Sequence, residues 1–560
     1  MYRLRNILVH IILISLLTGC TGGKMEEEFK VFLDKKISQM QPLEKQRNLA
    51  YWTAATTGNQ ADFEKYSRLE LAYKNLFTDS VEFAQLEQFK NSGDIKSPLL
   101  KRQLELLYNY YLRNQIDSTL LREITTLESQ VENKFSVFRG TIDGQAVTNN
   151  QILEILKNET RSEIRQKAWA ASKMVGAEVA DDIIKLVKLR NQAAQKLGFD
   201  NYYQLALLVT EQDETSLLKI FDDLARLTQA PFQKLKAELD NILAERAQTI
   251  PAMLRPWHYH DPFFQEAPLV FSIDLDQYYD NQDVKILAHK FFNGIGLPVD
   301  SILAHSDLYE KPGKNPHAFC THIDRSGDVR VLMNLKNDVS WMETALHELG
   351  HGVYDKYLDF SLPYLLREPA HSFTTEAIAM LFGRLARNPY WMQAMLALSE
   401  KETAEIAATV KKVLRLQQIV FARWCQVMFR FERALYADPD QDLNGLWWDL
   451  VEEYQLVTRP AQRDQPDWAA KIHFTIAPVY YHNYMLGELM ASQVHAYLVE
   501  NIFEQTSDKG ISYVGSLKTG EYLKQNIFQP GAKFDWKELL TFATGESLNP
   551  EYFVKQFLSD

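Results

Sequence analysis

Trp341-Met-Glu-Thr-Ala-Leu-His347-Glu348-Leu-Gly-His351-Gly-Val-Tyr-Asp-Lys-Tyr357 is the stretch from which the rest of the chain can be read. It contains no proline, and only Gly350 and Gly352 weaken its helical character, so it predicts a helix. Residues four apart share a helix face, so His347 and His351 can offer imidazole nitrogens to one metal ion. Glu348 follows His347 directly and can take a proton from a water beside that ion. This is the H-E-x-x-H arrangement of metal hydrolases. A catalytic zinc site needs three protein ligands and an open position. The remaining chain must therefore supply a third ligand, oxyanion donors and a segment that holds substrate.

Downstream, a helix is expected over residues 372–387, with Ser372, Thr374 or Thr375 as its cap. It carries Glu376 beside the apolar run Ala377-Ile-Ala-Met-Leu-Phe382. A carboxylate in such surroundings is costly unless paired or bound to a cation, which makes Glu376 the third ligand. Glu368 and His371 are rivals, but beside Pro369 they suit a supporting role. Upstream, His317-Ala-Phe-Cys-Thr-His-Ile323, a turn at 324–327 and Val329-Arg-Val-Leu-Met-Asn-Leu335 form the one convincing hairpin. Its edge could hold an extended peptide by main-chain hydrogen bonds. Further on, His473 and the tyrosines Tyr480, Tyr481 and Tyr484 precede a helix reaching about residue 500. They are suitable donors to an oxyanion.

The whole chain bounds these choices. Its 560 residues can bury a large core, and a net charge of −12 argues against nucleic acid as a partner. Helix formers dominate and strand-like runs are few, so a mostly α fold is expected. Residues 26–135 read as successive amphipathic helices that form a packing wall or a lid. Residues 138–145 read as a turn, and 149–197 as two or more helices closed by Gly198. Residues 211–249 read as two helices divided near Pro231. Around Trp257-His-Tyr-His-Asp-Pro-Phe-Phe264, a second metal site at His258, His260 and Asp261 is conceivable, but a loop packed on aromatics is the favoured reading. Long helices follow over 390–436, and a tail of short helices over 503–560.

The first residues read as a targeting segment. Arg3 and Arg5 precede an apolar run over 7–17, and Leu17-Thr18-Gly19-Cys20 looks like a bacterial lipobox. That assigns 1–19 to a signal peptide, Cys20 to lipidation, 20–28 to a solvated tether and 29–560 to one domain of two lobes. The protein is then expected to be exported and lipid-anchored to the cell envelope. Cys320 and Cys425 cannot build a disulfide framework and read as buried thiols, although an exported protein could pair them.

On these residues the chain resembles the gluzincin metallopeptidases, specifically the angiotensin-converting-enzyme (peptidyl-dipeptidase A) family, over roughly 150–505. Beyond the helix motif, Arg367-Glu368 stands at the family's interval before Glu376-Ala-Ile378, and His317-Ala318 at its interval before His347. Lys471-Ile-His473 followed by Tyr481 and Tyr484 also matches, with one extra residue between. The resemblance implies a prolate, two-lobed helical fold around a deep channel, with a small hairpin beside the zinc helix. It implies one zinc ion on His347, His351 and Glu376, with Glu348, His473 and Tyr484 catalytic. It also implies that His317, Ala318, Lys471 and Tyr481 bind substrate. Some positions depart from the family. The usual carboxylate-binding Gln aligns near Tyr259, the chloride-binding arginines align with Asn483 and Val451, and the Asp that orients a zinc histidine is Met380. Ala318-Phe-Cys320, His347–His351 and Tyr480-Tyr481 also resemble the oligoendopeptidase F and thimet oligopeptidase group. The expected activity is zinc-dependent hydrolysis of short peptides by a monomer resembling a dipeptidyl carboxypeptidase. An oligoendopeptidase, or an inactive peptide-binding lipoprotein, are the alternatives.

Overall fold

In the computed structural model, which describes residues 21–271 and 273–558, the first amphipathic segments form five helices. They are α1 (Thr21–Thr57), α2 (Gln60–Asn75), α3 (Ser80–Ser92), α4 (Pro98–Leu112) and α5 (Ser118–Val137). The first four bury Phe29, Leu33, Leu86, Phe89, Leu107 and Tyr111, with Phe77 of the turn after α2, in a core of their own. Tyr364 and Leu365, from a short turn much later in the chain, complete that core. Burying each such side chain contributes about 1.5–3 kcal/mol. Residues 21–28, expected as a tether, are instead the first turns of α1. Glu26 draws them onto the fold by accepting the backbone N–H groups of Lys96 and Ser97 at 2.7 and 3.1 Å.

The expected turn at 138–145 is a second hairpin, β1 (Gly140–Ile142) with β2 (Gln145–Val147). Asp143 and Gly144 both have positive φ, 50° and 79°, which is the mirror-image turn that Asp-Gly favours between two strands. There follow α6 (Asn149–Asn158), α7 (Ser162–Lys196), α8 (Tyr202–Val209) and α9 (Glu214–Arg246). Pro231 does not divide α9. Its missing N–H leaves one carbonyl unpaired, yet Thr228 and Phe232 on either side are fully buried, and packing of both halves offsets the roughly 3 kcal/mol penalty.

An irregular stretch leads to α10 (Val284–Gly294) and α11 (Asp300–His305), and then to the expected hairpin of β3 (Phe319–His322) and β4 (Val329–Leu332). Phe319 pairs with Leu332 and His322 with Val329. Next come α12 (Val339–Lys356), α13 (Ser372–Gly383), α14 (Pro389–Leu396) and the long α15 (Glu400–Ala437). The chain ends with α16 (Leu443–Leu450), α17 (His473–Ile476), α18 (His482–Tyr497), α19 (Leu517–Leu523), α20 (Trp536–Thr544) and α21 (Glu551–Phe557).

The main core is centred on α12, α13 and α18. Phe373, Ala377, Ile378, Ala379, Leu381 and Phe382 of α13 are all buried, so this helix is apolar nearly all round and central. Its cap is His371, whose side chain accepts the Phe373 N–H at 3.1 Å, rather than Ser372, Thr374 or Thr375. Cys320 and Cys425 are free thiols, Cys425 buried and Cys320 partly so. Among the described residues no helix is long and apolar enough to cross a membrane. Residues 1–20, including Cys20, lie outside the described residues.

Candidate active site

Asp338 starts α12 by accepting the Trp341 N–H at 2.7 Å, and the helix then runs unbroken through His347, Glu348 and His351. Gly350 sets its distance from α13. A Cβ at Gly350 would stand 2.8 Å from Ala379 Cα and 3.3 Å from Ala379 N. Without one, the two helices approach closely enough to put Glu376 across from the histidines. His347 Nε2 lies 3.6 Å from Glu376 Oε1, and His351 Nε2 lies 3.5 Å from Glu376 Oε2. Ligand bonds of about 2.0–2.2 Å at tetrahedral angles place donor atoms about 3.4 Å apart, so the three groups fit a zinc ion. They are the only His/Cys/Asp/Glu group of this kind among the described residues.

His351 Nδ1 is 2.8 Å from Thr375 Oγ1. With the proton on Nδ1, that hydroxyl accepts it and Nε2 is the nitrogen that faces Glu376, which supplies the orientation that Met380 cannot. Burial pulls the imidazolium form of His347 down to a pKa of about 4, against the pull of Glu376. Burial opposes charge on His351 too, but Glu376, Glu348 and Asp355 together hold it above its ordinary value. Burial pushes the Glu348 carboxyl up to about 7, countered by His351 and by the backbone of Cys320. A carboxyl near 7 can both take and return a proton at neutral pH.

The contact between Glu348 and Cys320 brings β3 to the site. β3 pairs only with β4 among the described strands, and on its other edge Asn48 donates to the His322 carbonyl at 3.1 Å. Asn334 pins the approach to β3 by donating to the carbonyls of Asn315 and Pro316, each at 3.1 Å. His317, exposed, and Ala318, partly buried, lie at that approach.

Just before α17, on it, and from there into α18 stand the other expected groups. Lys471 is encircled by Phe263, Trp424 and Tyr481, whose ring centres lie 5.3–5.4 Å from its Nζ. It donates to Gln265 Oε1 at 2.5 Å. Burial lowers its pKa to about 8, so it remains largely cationic at neutral pH. Gln265, not Tyr259, is thus the side chain that stands against Lys471. Tyr259 is buried elsewhere, bonded to Lys236 and Asp240 at 2.8 and 3.0 Å. Trp424 Nε1 donates to the Tyr481 hydroxyl at 2.8 Å, leaving that hydroxyl's proton to give. His473 lies 5.0 Å ring to ring from Tyr481, and its Nδ1 is buried without a partner. The Tyr484 ring packs on those of Tyr480 and Tyr481, and the charge on Glu376 helps to raise its pKa after burial.

The rival residues serve other purposes. Glu368 pairs with Arg325 at 2.5 Å and accepts from Tyr110 at 3.2 Å. His258 meets Ser162 Oγ at 2.9 Å, His260 accepts the Leu269 N–H at 3.3 Å, and Asp261 accepts the N–H groups of Phe263 and Gln265. These three build a loop, as favoured, and do not converge on a metal. Asn483 accepts from Gln212 at 2.7 Å in a neutral pair, and Val451 is buried.

Comparison with known proteins bears on the family of the chain. Residues 23–557 match the family described as angiotensin-converting enzyme. An inactive angiotensin-converting enzyme-related protein of Caenorhabditis elegans is 22% identical over 432 residues, covering 70% of this chain and 47% of that protein. The angiotensin-converting enzyme of Bos taurus is 25% identical over 271 residues, 46% of this chain and 20% of that enzyme. That of Mesocricetus auratus is 24% identical over 270 residues, with the same shares. The chain thus spans about half the length of the first relative and a fifth of the other two.

Proposed function

From the premise that the chain belongs to the angiotensin-converting enzyme family of peptidases, we propose that it is a zinc-dependent peptidyl-dipeptidase acting on short peptides. The observation that carries this is the convergence of His347, His351 and Glu376 at metal-ligand spacing, with Glu348 beside them. The chemistry zinc supplies when held there is polarisation of the scissile carbonyl and acidification of water.

The remaining work falls to the chain's own side chains. Glu348 takes a proton from the attacking water and passes it to the leaving amine. The Tyr484 hydroxyl and a His473 N–H donate to the oxyanion, each worth about 3 kcal/mol in comparable sites. The edge of β3 away from β4, with His317 and Ala318 at its approach, aligns the substrate backbone. Lys471, Gln265 and Tyr481 receive its terminal carboxylate, and the Lys471–Gln265 pair favours removal of C-terminal dipeptides over internal cleavage. The relative named inactive raises the alternative of an idle peptide binder, but all four groups the chemistry needs are present here. We extend the proposal to an exported lipoprotein anchored through Cys20, which loss of acyl labelling in Cys20→Ser would test.

Glu348→Gln decides the mechanism. It should keep stoichiometric zinc and lose turnover by several orders of magnitude. Retained turnover would refute the role of Glu348, and lost zinc would show that the residue acts structurally.

A further inference from the structure

Asp261 is buried and stands four residues before Gln265 in the aromatic loop. One of its carboxylate oxygens accepts the N–H groups of Phe263 and Gln265 at 2.9 and 3.0 Å, and the other accepts from Gln265 Nε2 at 3.4 Å. The opposite end of that amide, Oε1, accepts from Lys471 Nζ at 2.5 Å. A carboxylate only accepts and an ammonium only donates, so these two neighbours admit a single orientation of the Gln265 amide. Asp261 thereby holds both the backbone and the side chain of the residue that stands against Lys471.

The charges around the loop give this carboxylate a second task. Lys173 of α7 is buried with its Nζ 3.1 Å from the ring centre of Phe263, and it has no hydrogen bond to any described residue. Lys471 Nζ lies 5.4 Å from the centre of the same ring. Asp467, also buried, is taken up by Arg463 at 2.7 and 2.6 Å, and Glu266 is exposed. Two buried ammonium groups thus face one buried carboxylate, Asp261, to which no cation is bonded. The remaining positive charge is left for an incoming carboxylate to neutralise. Burial drives Lys471 toward its neutral form, and Asp261 opposes that ahead of Cys425 and Glu266. Burial pushes the Cys425 thiol and the Tyr481 hydroxyl up and His473 down to about 4, so all three are neutral at pH 7. Lys173 is lowered by burial to about 7.

On the reading that Lys471, Gln265 and Tyr481 take the terminal carboxylate of the substrate, we propose that Asp261 is the positioning residue of that pocket. Through Gln265 it aligns Lys471, and it is the buried counter-charge on which the Lys471 ammonium relies until a peptide arrives.

Asp261→Asn tests it by removing the charge while keeping an oxygen for the two N–H groups. The readout is kcat/KM for an N-acetylated peptide with a free C-terminus divided by that for its amide, followed with pH in the zinc-loaded protein. Protonation steps common to both peptides, Glu348 included, cancel in that ratio. In the wild type the ratio should fall as Lys471 loses its proton, near pH 8. A nearby opposite charge moves a pKa by about one unit or more, so in Asp261→Asn the fall should come at lower pH. The variant's ratio should lie within about threefold of wild type at about pH 6 and drop by about a further fivefold at about pH 8. Glu266→Gln, which removes an exposed carboxylate of the same loop, should keep the wild-type profile. The ¹³Cε resonance of Lys471 in lysine-labelled protein, assigned by its loss in Lys471→Met, should titrate with a midpoint lowered by Asp261→Asn. Circular dichroism and melting confirm the fold, and Asp261→Ser, whose hydroxyl can still accept a loop N–H, replaces Asp261→Asn if the latter does not fold. An unchanged ratio, a ratio lowered by one factor at every pH, or an equal shift in Glu266→Gln would overturn the proposal. A wild type that does not distinguish the two peptides would refute the carboxylate pocket itself. The Lys471 resonance then decides the role of Asp261, upheld by a lowered midpoint and overturned by an unmoved one.

Discussion

Replacing Gly350 by alanine probes how the metal centre is assembled. Helix propensity alone favours the substitution by about 0.5–1 kcal/mol. The close approach to α13 opposes it, because the new Cβ would lie 2.8 Å from Ala379 Cα. Ordinary carbon contacts need about 3.5–4.0 Å, so α12 and α13 must separate by about 0.7–1.2 Å. The contact is with backbone on both helices, which no side-chain rotation can relieve. Such overpacking costs about 1–3 kcal/mol. The ligand atoms span the same two helices, and metal sites tolerate displacements of only about 0.2 Å. Gly350→Ala should therefore weaken zinc binding at least about tenfold and lower the melting temperature of both zinc-loaded and zinc-stripped protein. Gly352→Ala is the control. Its Cβ would meet Ile302 Cδ1 at 3.2 Å and Cγ2 at 3.6 Å, the ends of a movable side chain, so its zinc affinity should stay near wild type. Competition against a calibrated chelator measures both. Equal affinity in Gly350→Ala and wild type, with unchanged melting, would refute the idea that this contact sets the ligand geometry.

Thr375→Val removes the hydroxyl that orients His351 while keeping shape, and should weaken zinc about 10–100-fold with little change in melting of the stripped protein. An unaltered chelator titration would assign that orientation elsewhere. Lys471→Ala should raise KM for peptides with a free C-terminus far more than it lowers kcat, and equal effects on free and amidated peptides would contradict its role. Glu432 is fully buried, accepts the Val479 N–H at 2.7 Å, and is pushed up to a pKa of about 7 by that burial. Its folded pKa exceeds the ordinary 4.5, so its favourable contribution is complete below about pH 4.5 and is lost as pH rises through about 7. Glu432→Gln should thus gain relative stability across that window, by at most about 3 kcal/mol, and a melting difference independent of pH would refute the assignment.

Much of this site could be read from the chain because the chemistry demands local spacing. His347, Glu348 and His351 lie within one helical turn, and Glu376 betrays itself as the sole ionisable residue of an apolar helix. Other features are set by tertiary contact and leave no periodic trace. Gln265 lies in an aromatic loop about two hundred residues before Lys471, and only folding brings them together. Thr375 reads locally as a helix cap, and only the α12–α13 crossing brings it to His351. Pro231 carried a strong local signal for a break, which packing on both sides overrode. Asp143-Gly144 was a legible hairpin signal, but the flanking strands are three residues each and fall below any alternation pattern. The first turns of α1 have a solvated composition and are ordered by one carboxylate reaching Lys96 and Ser97.

The central claim is met most directly by mass spectrometry of the products from a short peptide offered with a free and with an amidated C-terminus, before and after chelation and with zinc restored. The account predicts release of C-terminal dipeptides from the free acid, poor turnover of the amide, loss of activity on chelation and its return with zinc. Equal internal cleavage of both peptides, or no cleavage by protein carrying a full complement of zinc, would contradict it.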